Sequence, residues 1–182
     1  IVLACLAIVK VSPDAVVKLE GESASDLPLS TPLPAYLALA YFVELQQVAT
    51  RAQLHQLAKR AEGPAESRLR ELASLEGGAY EEHILAGRLT LVEVLGEMPD
   101  LQVTFGELLA LLPAMKPRYY SISSSPKASP NKASITVSVV RGASPTGRLH
   151  IGLCSNFLSV QPKSIPQAVG VEVAMPLMVF VK

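Results

Sequence analysis

Pro117-Arg118-Tyr119-Tyr120-Ser121-Ile122-Ser123-Ser124-Ser125-Pro126 is where the texture of this sequence changes. Upstream the chain reads as helices. From about Ala114, aromatic and branched residues alternate with polar ones, the two-residue period of a strand. A second run of the same kind follows, Ser134-Ile135-Thr136-Val137-Ser138-Val139-Val140, and the Ser-, Pro- and Asn-rich stretch between them reads as a loop. Two neighbouring antiparallel strands are the simplest arrangement. Further on, 142–147 reads as another loop, and Ser155-Asn156-Phe157-Leu158 as a short helix opening behind Gly152. The tail from Gln161 is broken by proline and ends in an apolar strand, Leu177-Met178-Val179-Phe180-Val181.

Working back from Pro117, residues 35–112 read as short amphipathic helices with well-marked starts. Thr50-x-x-Gln53, Thr90-x-x-Glu93 and Thr104-x-x-Glu107 each fit the capping box, in which two side chains satisfy orphan amides reciprocally. Behind them lie apolar stripes: Leu54, Leu57, Ala58 and Ala61; Leu91, Val94 and Leu95; Leu108, Leu111 and Leu112. Gly63-Pro64, Gly77-Gly78, Met98-Pro99 and Pro113 read as stops. Nothing in this bundle suggests chemistry. Before it, 20–34 reads as a proline-punctuated loop, Ala15 to Leu19 as a short strand and Ser12-Pro13-Asp14 as a turn. The apolar start, Ile1 to Val9, falls short of the roughly 20 residues of a membrane span and lacks a basic leader, so it is expected to be buried helix or strand.

Composition narrows the classes further. With 49% hydrophobic and 18% charged residues, the chain is globular rather than disordered. Its two cysteines and three scattered histidines form neither a disulfide framework nor a metal site, so no metal is expected and a reducing cytoplasm is the expected location. The net charge of zero hides a split. Residues 1–113 hold 8 basic and 15 acidic side chains, a balance of −7, while 114–182 hold 8 basic and one acidic, a balance of +7. The later part would welcome an anion; equally, the two parts could pair with one another.

Two strings could carry chemistry. On a strand, Arg118 and Tyr120 project from one face, Tyr119 and Ser121 from the other. The arginine offers a planar fork to a phosphate, the tyrosine a surface for a flat ring, and Ser121 a small hydroxyl. Gly152-Leu153-Cys154-Ser155-Asn156 would expose main-chain N–H groups at a helix start, where an anion is favoured. Taken singly, the first string also suits an ordinary strand and the second a plain turn.

In order and spacing, 117–126, 134–140 and Gly152-Leu153-Cys154-Ser155-Asn156-Phe157-Leu158 resemble the FAD-binding strings of the diflavin NADPH reductases. They look most like the reductase half of bacterial self-sufficient cytochrome fatty-acid monooxygenases. The helical strings Val48-Ala49-Thr50-Arg51-Ala52-Gln53-Leu54 and Leu89-Thr90-Leu91-Val92-Glu93-Val94-Leu95 look like that family's connecting insertion. The resemblance covers roughly 12–160. It implies an α+β fold, a partial antiparallel flavin-binding β-barrel with an all-helical connecting insertion. Residues 1–30 would be barrel remnant and lead-in, 31–113 the insertion, and 114–182 the FAD-binding strands. Arg118 would bind the FAD pyrophosphate, Tyr120 would stack on the isoalloxazine with Tyr119 beside it, and Ser121 would assist hydride transfer at the ring's reactive edge. Thr136, Val137 and Ser138 would line the flavin, and Gly152, Leu153, Cys154 and Ser155 would hold the pyrophosphate. FAD would be this chain's cofactor, with FMN and NADPH in the parent enzyme. An FMN-binding domain and a haem domain or haem protein would be its partners, with neither nucleic acid nor membrane involved.

The match thins at both ends. Residues 1–10 are apolar where the family has an amphipathic helix, and no Gly-rich nicotinamide loop is recognisable after Leu158. The chain therefore reads as a piece of the reductase that would not turn over NADPH alone. Rival readings are a structural remnant that binds no flavin, a nucleic-acid module built on the basic residues of 114–182, and a phosphorylated linker at Ser121 to Ser129.

Overall fold

The computed structural model describes residues 1–18, 32–128, 130 and 133–159. Its chain forms two units. The first is Ile1–Tyr119 with Gly142–His150; the second comprises the described residues of Tyr120–Arg141 and Ile151–Lys182.

In the first unit the apolar start is helix α1 (Val2–Ile8), which buries Cys5 and Leu6. Strands β1 (Val16–Val17) and β2 (Leu33–Pro34) pair antiparallel, Val16 opposite Pro34. Leu33-Pro34 was expected as loop; proline is tolerated here because a two-stranded sheet has only edge strands. Residues 20–31 of the expected loop, with Leu19, lie outside the described residues. Helices α2 (Ala35–Tyr41), α3 (Arg51–Ala58), α4 (Gly63–Ala73), α5 (Leu91–Gly96) and α6 (Phe105–Leu111) follow, with a π-helix at Tyr80–Leu85 between α4 and α5.

All three capping boxes form with both arms. Gln53, Glu93 and Glu107 each accept the threonine N–H at 2.8 Å, and each returns its own N–H to the threonine hydroxyl at 3.3 Å. Each box satisfies two donors that would otherwise be orphaned, and the cap stabilises its helix by about 1 kcal/mol. Gly63-Pro64, expected as a stop, instead opens α4: Gly63 sits at φ +60° and Pro64 in the first turn, where its missing N–H costs nothing. The stripes meet in one continuous core that includes Leu6, Leu39, Leu54, Leu69, Ile84, Val94 and Leu108. Tyr80 enters it and donates its hydroxyl to the Ala49 carbonyl at 2.8 Å. Arg51 lies 4.1 Å over its ring and pairs with Glu81 at 2.6 Å. The sequence pattern gave no warning of the π-helix.

Strands β3 (Arg141–Ala143) and β4 (Leu149–Ile151) form a two-stranded hairpin where a loop was expected. Ser144-Pro145-Thr146-Gly147 closes it: Gly147 takes φ +83° and donates to the Ser144 carbonyl at 2.9 Å, and the Ser144 N–H reaches the Arg148 carbonyl at 2.7 Å. Proline inside the turn and a left-handed glycine after it are the chemistry of such hairpins.

In the second unit the two expected strands meet only at one antiparallel bridge, Ile122 opposite Ile135. Serine is the reason. Ser134 gives its N–H to the Ser124 hydroxyl at 2.9 Å, and the Ser134 carbonyl accepts both the N–H and the hydroxyl of Ser123. Side chains thus take bonds that a ladder would use. The expected short helix is α7 (Leu153–Ser159). The apolar run at Leu177 to Val181 lies outside the described residues. The architecture is α+β with small sheets, and among the described residues the strands do not close a barrel.

Candidate functional site

Arg118 is held from behind by a short strand-like pairing. Val43 bridges Ala114 antiparallel, the Glu44 N–H reaches the Pro113 carbonyl at 2.9 Å, and the Met115 N–H reaches the Phe42 carbonyl at 2.8 Å. Val43 is buried, so this seam is fixed to the core. Three residues beyond Met115, the Arg118 guanidinium donates through Nη1 to the Lys116 carbonyl and through Nη2 to Glu44 Oε2 at 2.8 Å. Glu44 Oε1 accepts the Gln46 N–H at 3.0 Å. Glu44 was not among the residues expected to matter. The sequence holds no local signal for a partner 74 positions away.

A second such pair lies within the same unit. Arg148 Nε meets Glu93 Oε1 at 2.9 Å, while the other oxygen of Glu93 serves the Thr90 capping box. Burial raises the Glu93 carboxyl, but hydrogen bonds from the Thr90 N–H and hydroxyl and the Arg148 charge outweigh it, and its pKa lies below the usual value. Two cations of the basic stretch therefore pair with acids of the acidic stretch, one of the two outcomes that the charge split left open.

The remaining expected residues lie as follows. Tyr119 is 70% exposed, Tyr120 is half-buried and Ser121 is exposed. In the second unit Val137 is half-buried between exposed Thr136 and Ser138. The Gly152 turn is tightly built: Gly152 N–H reaches the Val140 carbonyl at 2.9 Å, Val140 N–H reaches the Ser155 hydroxyl at 3.1 Å, and Asn156 Nδ2 returns to the Val140 carbonyl at 2.8 Å. A Cβ at Gly152 would stand 2.8 Å from Ser155 Oγ and 2.9 Å from Val140 Cβ, so only glycine fits. Ser155 is buried and its hydroxyl is already engaged; what it can offer a ligand is its main chain. Leu153 and Cys154 stand in the first turn, whose N–H groups have no carbonyl one turn earlier to bond. A glycine-led turn that lets backbone come close, with such amides beside it, suits a phosphate.

Comparison with known proteins bears on the same residues. The model of the family described as FAD binding domain matches residues 2–157. The chain is 44% identical over 140 residues to the bifunctional cytochrome P450/NADPH–P450 reductase 1 of Bacillus subtilis, covering 76% of this chain and 13% of that protein. To reductase 2 of the same organism it is 40% identical over 146 residues, 79% of this chain and 14% of the other. It is 40% identical to the inducible nitric oxide synthase of Mus musculus over 123 residues, 66% of this chain and 11% of that protein. The chain thus spans only about 13–14% of the length of the bifunctional relatives.

Proposed function

This chain belongs to the family of FAD binding domains, its cofactor is FAD, and from that premise we propose that it contributes the FAD-binding segment of an NADPH-dependent flavoprotein reductase. The observation that carries the proposal is the family match across 2–157. In this reading the strands after Pro113 are part of an antiparallel flavin-binding barrel, 31–113 is the helical connecting insertion and 1–30 leads into it.

The site follows residue by residue. Arg118 directs its remaining N–H donors to the pyrophosphate, a charge-assisted contact worth about 1.5–3 kcal/mol. Tyr120 packs against the isoalloxazine and Tyr119 flanks it. Ser121 bonds the reactive edge and moves a proton or steadies charge there. Thr136, Val137 and Ser138 line the ring, while the main-chain N–H groups of Leu153, Cys154 and Ser155 receive phosphate oxygens and Gly152, whose own N–H is held by Val140, lets the backbone come close. Bound FAD supplies a ring that accepts a hydride and gives up electrons one at a time.

The names of the bifunctional relatives join a cytochrome P450 to an NADPH–P450 reductase. With the FMN step that the family resemblance implies, we infer a route from NADPH to FAD to FMN to a haem protein for the longer arrangement and not for these 182 residues alone. A reducing cytoplasm suits it. Cys5 and Cys154 are free thiols, burial pushes Cys5 up to about 12, and among the described residues no helix is long and apolar enough to cross a membrane.

The test is titration of the purified chain with FAD, followed by flavin fluorescence and melting temperature. Saturable binding with a rising melting temperature is expected. Arg118→Ala should weaken it by about 10- to 100-fold. No retained flavin and an unmoved melting temperature would leave the non-binding remnant as the reading.

A further inference from the structure

We propose that Glu44 is a positioning residue for the phosphate-binding arginine: its carboxylate holds Arg118 in the conformer that meets the pyrophosphate. The inference rests on the reading of Arg118 given above. Three observations carry it. The Glu44 main chain is tied to Pro113 and its neighbour Val43 is buried, so the carboxylate starts from a fixed point. Its two oxygens have separate tasks, Oε1 bracing the Gln46 N–H at 3.0 Å and Oε2 meeting Arg118 Nη2 at 2.8 Å. The pair is asymmetric, the Glu44 side chain being 21% exposed and that of Arg118 40%, so the glutamate forms the sheltered base and the guanidinium the accessible end.

A guanidinium has five N–H donors. Two are spent, on Glu44 and on the Lys116 carbonyl, and three remain for a ligand. A free arginine would have to surrender its rotamer freedom on meeting a phosphate. Here Glu44 has already fixed it. Its negative charge works the other way, repelling the phosphates, but the Arg118 charge paired with it offsets that repulsion and salt screens what is left. Preorganisation is the larger effect.

The two contributions separate by substitution. Glu44→Gln removes the charge and leaves one oxygen, which can still accept from Arg118, where the carboxylate had two; Glu44→Ala removes the charge and both acceptors. FAD and riboflavin affinities are measured for each in the full chain, alone and with Arg118→Ala. The expected result is that Glu44→Gln binds FAD at least as tightly as the unaltered chain. Glu44→Ala should bind it about tenfold more weakly than Glu44→Gln, the worth of about 1.4 kcal/mol of lost preorganisation. That difference should vanish in the Arg118→Ala background and for riboflavin, which has no phosphate; a merely structural role would depress riboflavin binding as well. Equal FAD affinities for the two Glu44 variants, or an alanine variant that binds more tightly than the unaltered chain, would overturn the inference and make Glu44 a bystander or a competitor. If instead Arg118→Ala leaves FAD binding unchanged, the reading of Arg118 itself is wrong.

Discussion

The helices between Ala35 and Leu112 and the strand segments from Tyr120 onward are built on opposite terms. In the first region Leu54, Leu69, Ile84, Val94 and Leu108 are fully buried in a shared core. In the second, Ile122, Ile135, Val139 and Val140 stand 41–50% exposed, and the only buried residue among those described is Ser155. The difference shows where each kind of element finds its partners. A capped amphipathic helix carries its start signal and apolar face within a dozen residues, and neighbouring helices complete it. A strand needs a partner's N–H and C=O groups along its length. Here Ser123 and Ser124 supply substitutes and only one bridge forms.

That contrast can be broken most directly by truncating one apolar side chain on each side. Leu54→Ala should lower the unfolding free energy by about 2–5 kcal/mol, and Ile135→Ala by less than about 0.5 kcal/mol, both read from urea denaturation. Equal losses would mean that the strand segments have a core of their own. Gly152→Ala comes next, because it strikes a tightly built turn of the second unit. A methyl group under 3 Å from Val140 Cβ and Ser155 Oγ should cost about 1–3 kcal/mol and weaken FAD binding. An alanine variant with unchanged affinity would show that the turn does not meet the cofactor. Thr104→Ala should remove about 1 kcal/mol, the worth of an exposed cap, in the same denaturation measurement.

The smallest effect expected is one of pH. The Glu93 pKa is depressed in the folded chain, so its contribution is fully present above the unfolded value near 4.5 and is lost as the pH falls through the lower folded value. Melting curves of the unaltered chain and of Glu93→Gln should therefore differ at neutral pH and converge in acid. A gap that stays constant as the pH falls would assign the stabilisation to packing instead.

The sequence was most legible where its instructions are local. Threonine and glutamine or glutamate three residues apart marked helix starts that the structure forms with both bonds, and the apolar start became a helix that buries Cys5 and Leu6 but leaves Leu3 exposed. It was least legible where partners are remote. The acceptor of Arg118 is Glu44, the acceptor of Arg148 is Glu93, and neither pairing leaves a mark in local spacing. The Ser144–Gly147 turn was readable in principle, since Ser-Pro-x-Gly is a turn signal; Arg141-Gly142-Ala143 before it has no strand character, so the whole stretch passed for loop. In the proposed site, Arg118 and Gly152 were chosen by residue type. That Ser155 spends its hydroxyl on the backbone could not.

The central claim is that this chain recognises FAD through its phosphates as well as its ring. Calorimetric titration of the purified protein with FAD and, separately, with riboflavin tests it most directly. The account predicts one FAD per chain, bound at least about tenfold more tightly than riboflavin, the worth of a single charge-assisted phosphate contact. Equal affinities for the two, or no heat and no retained flavin with either, would contradict it.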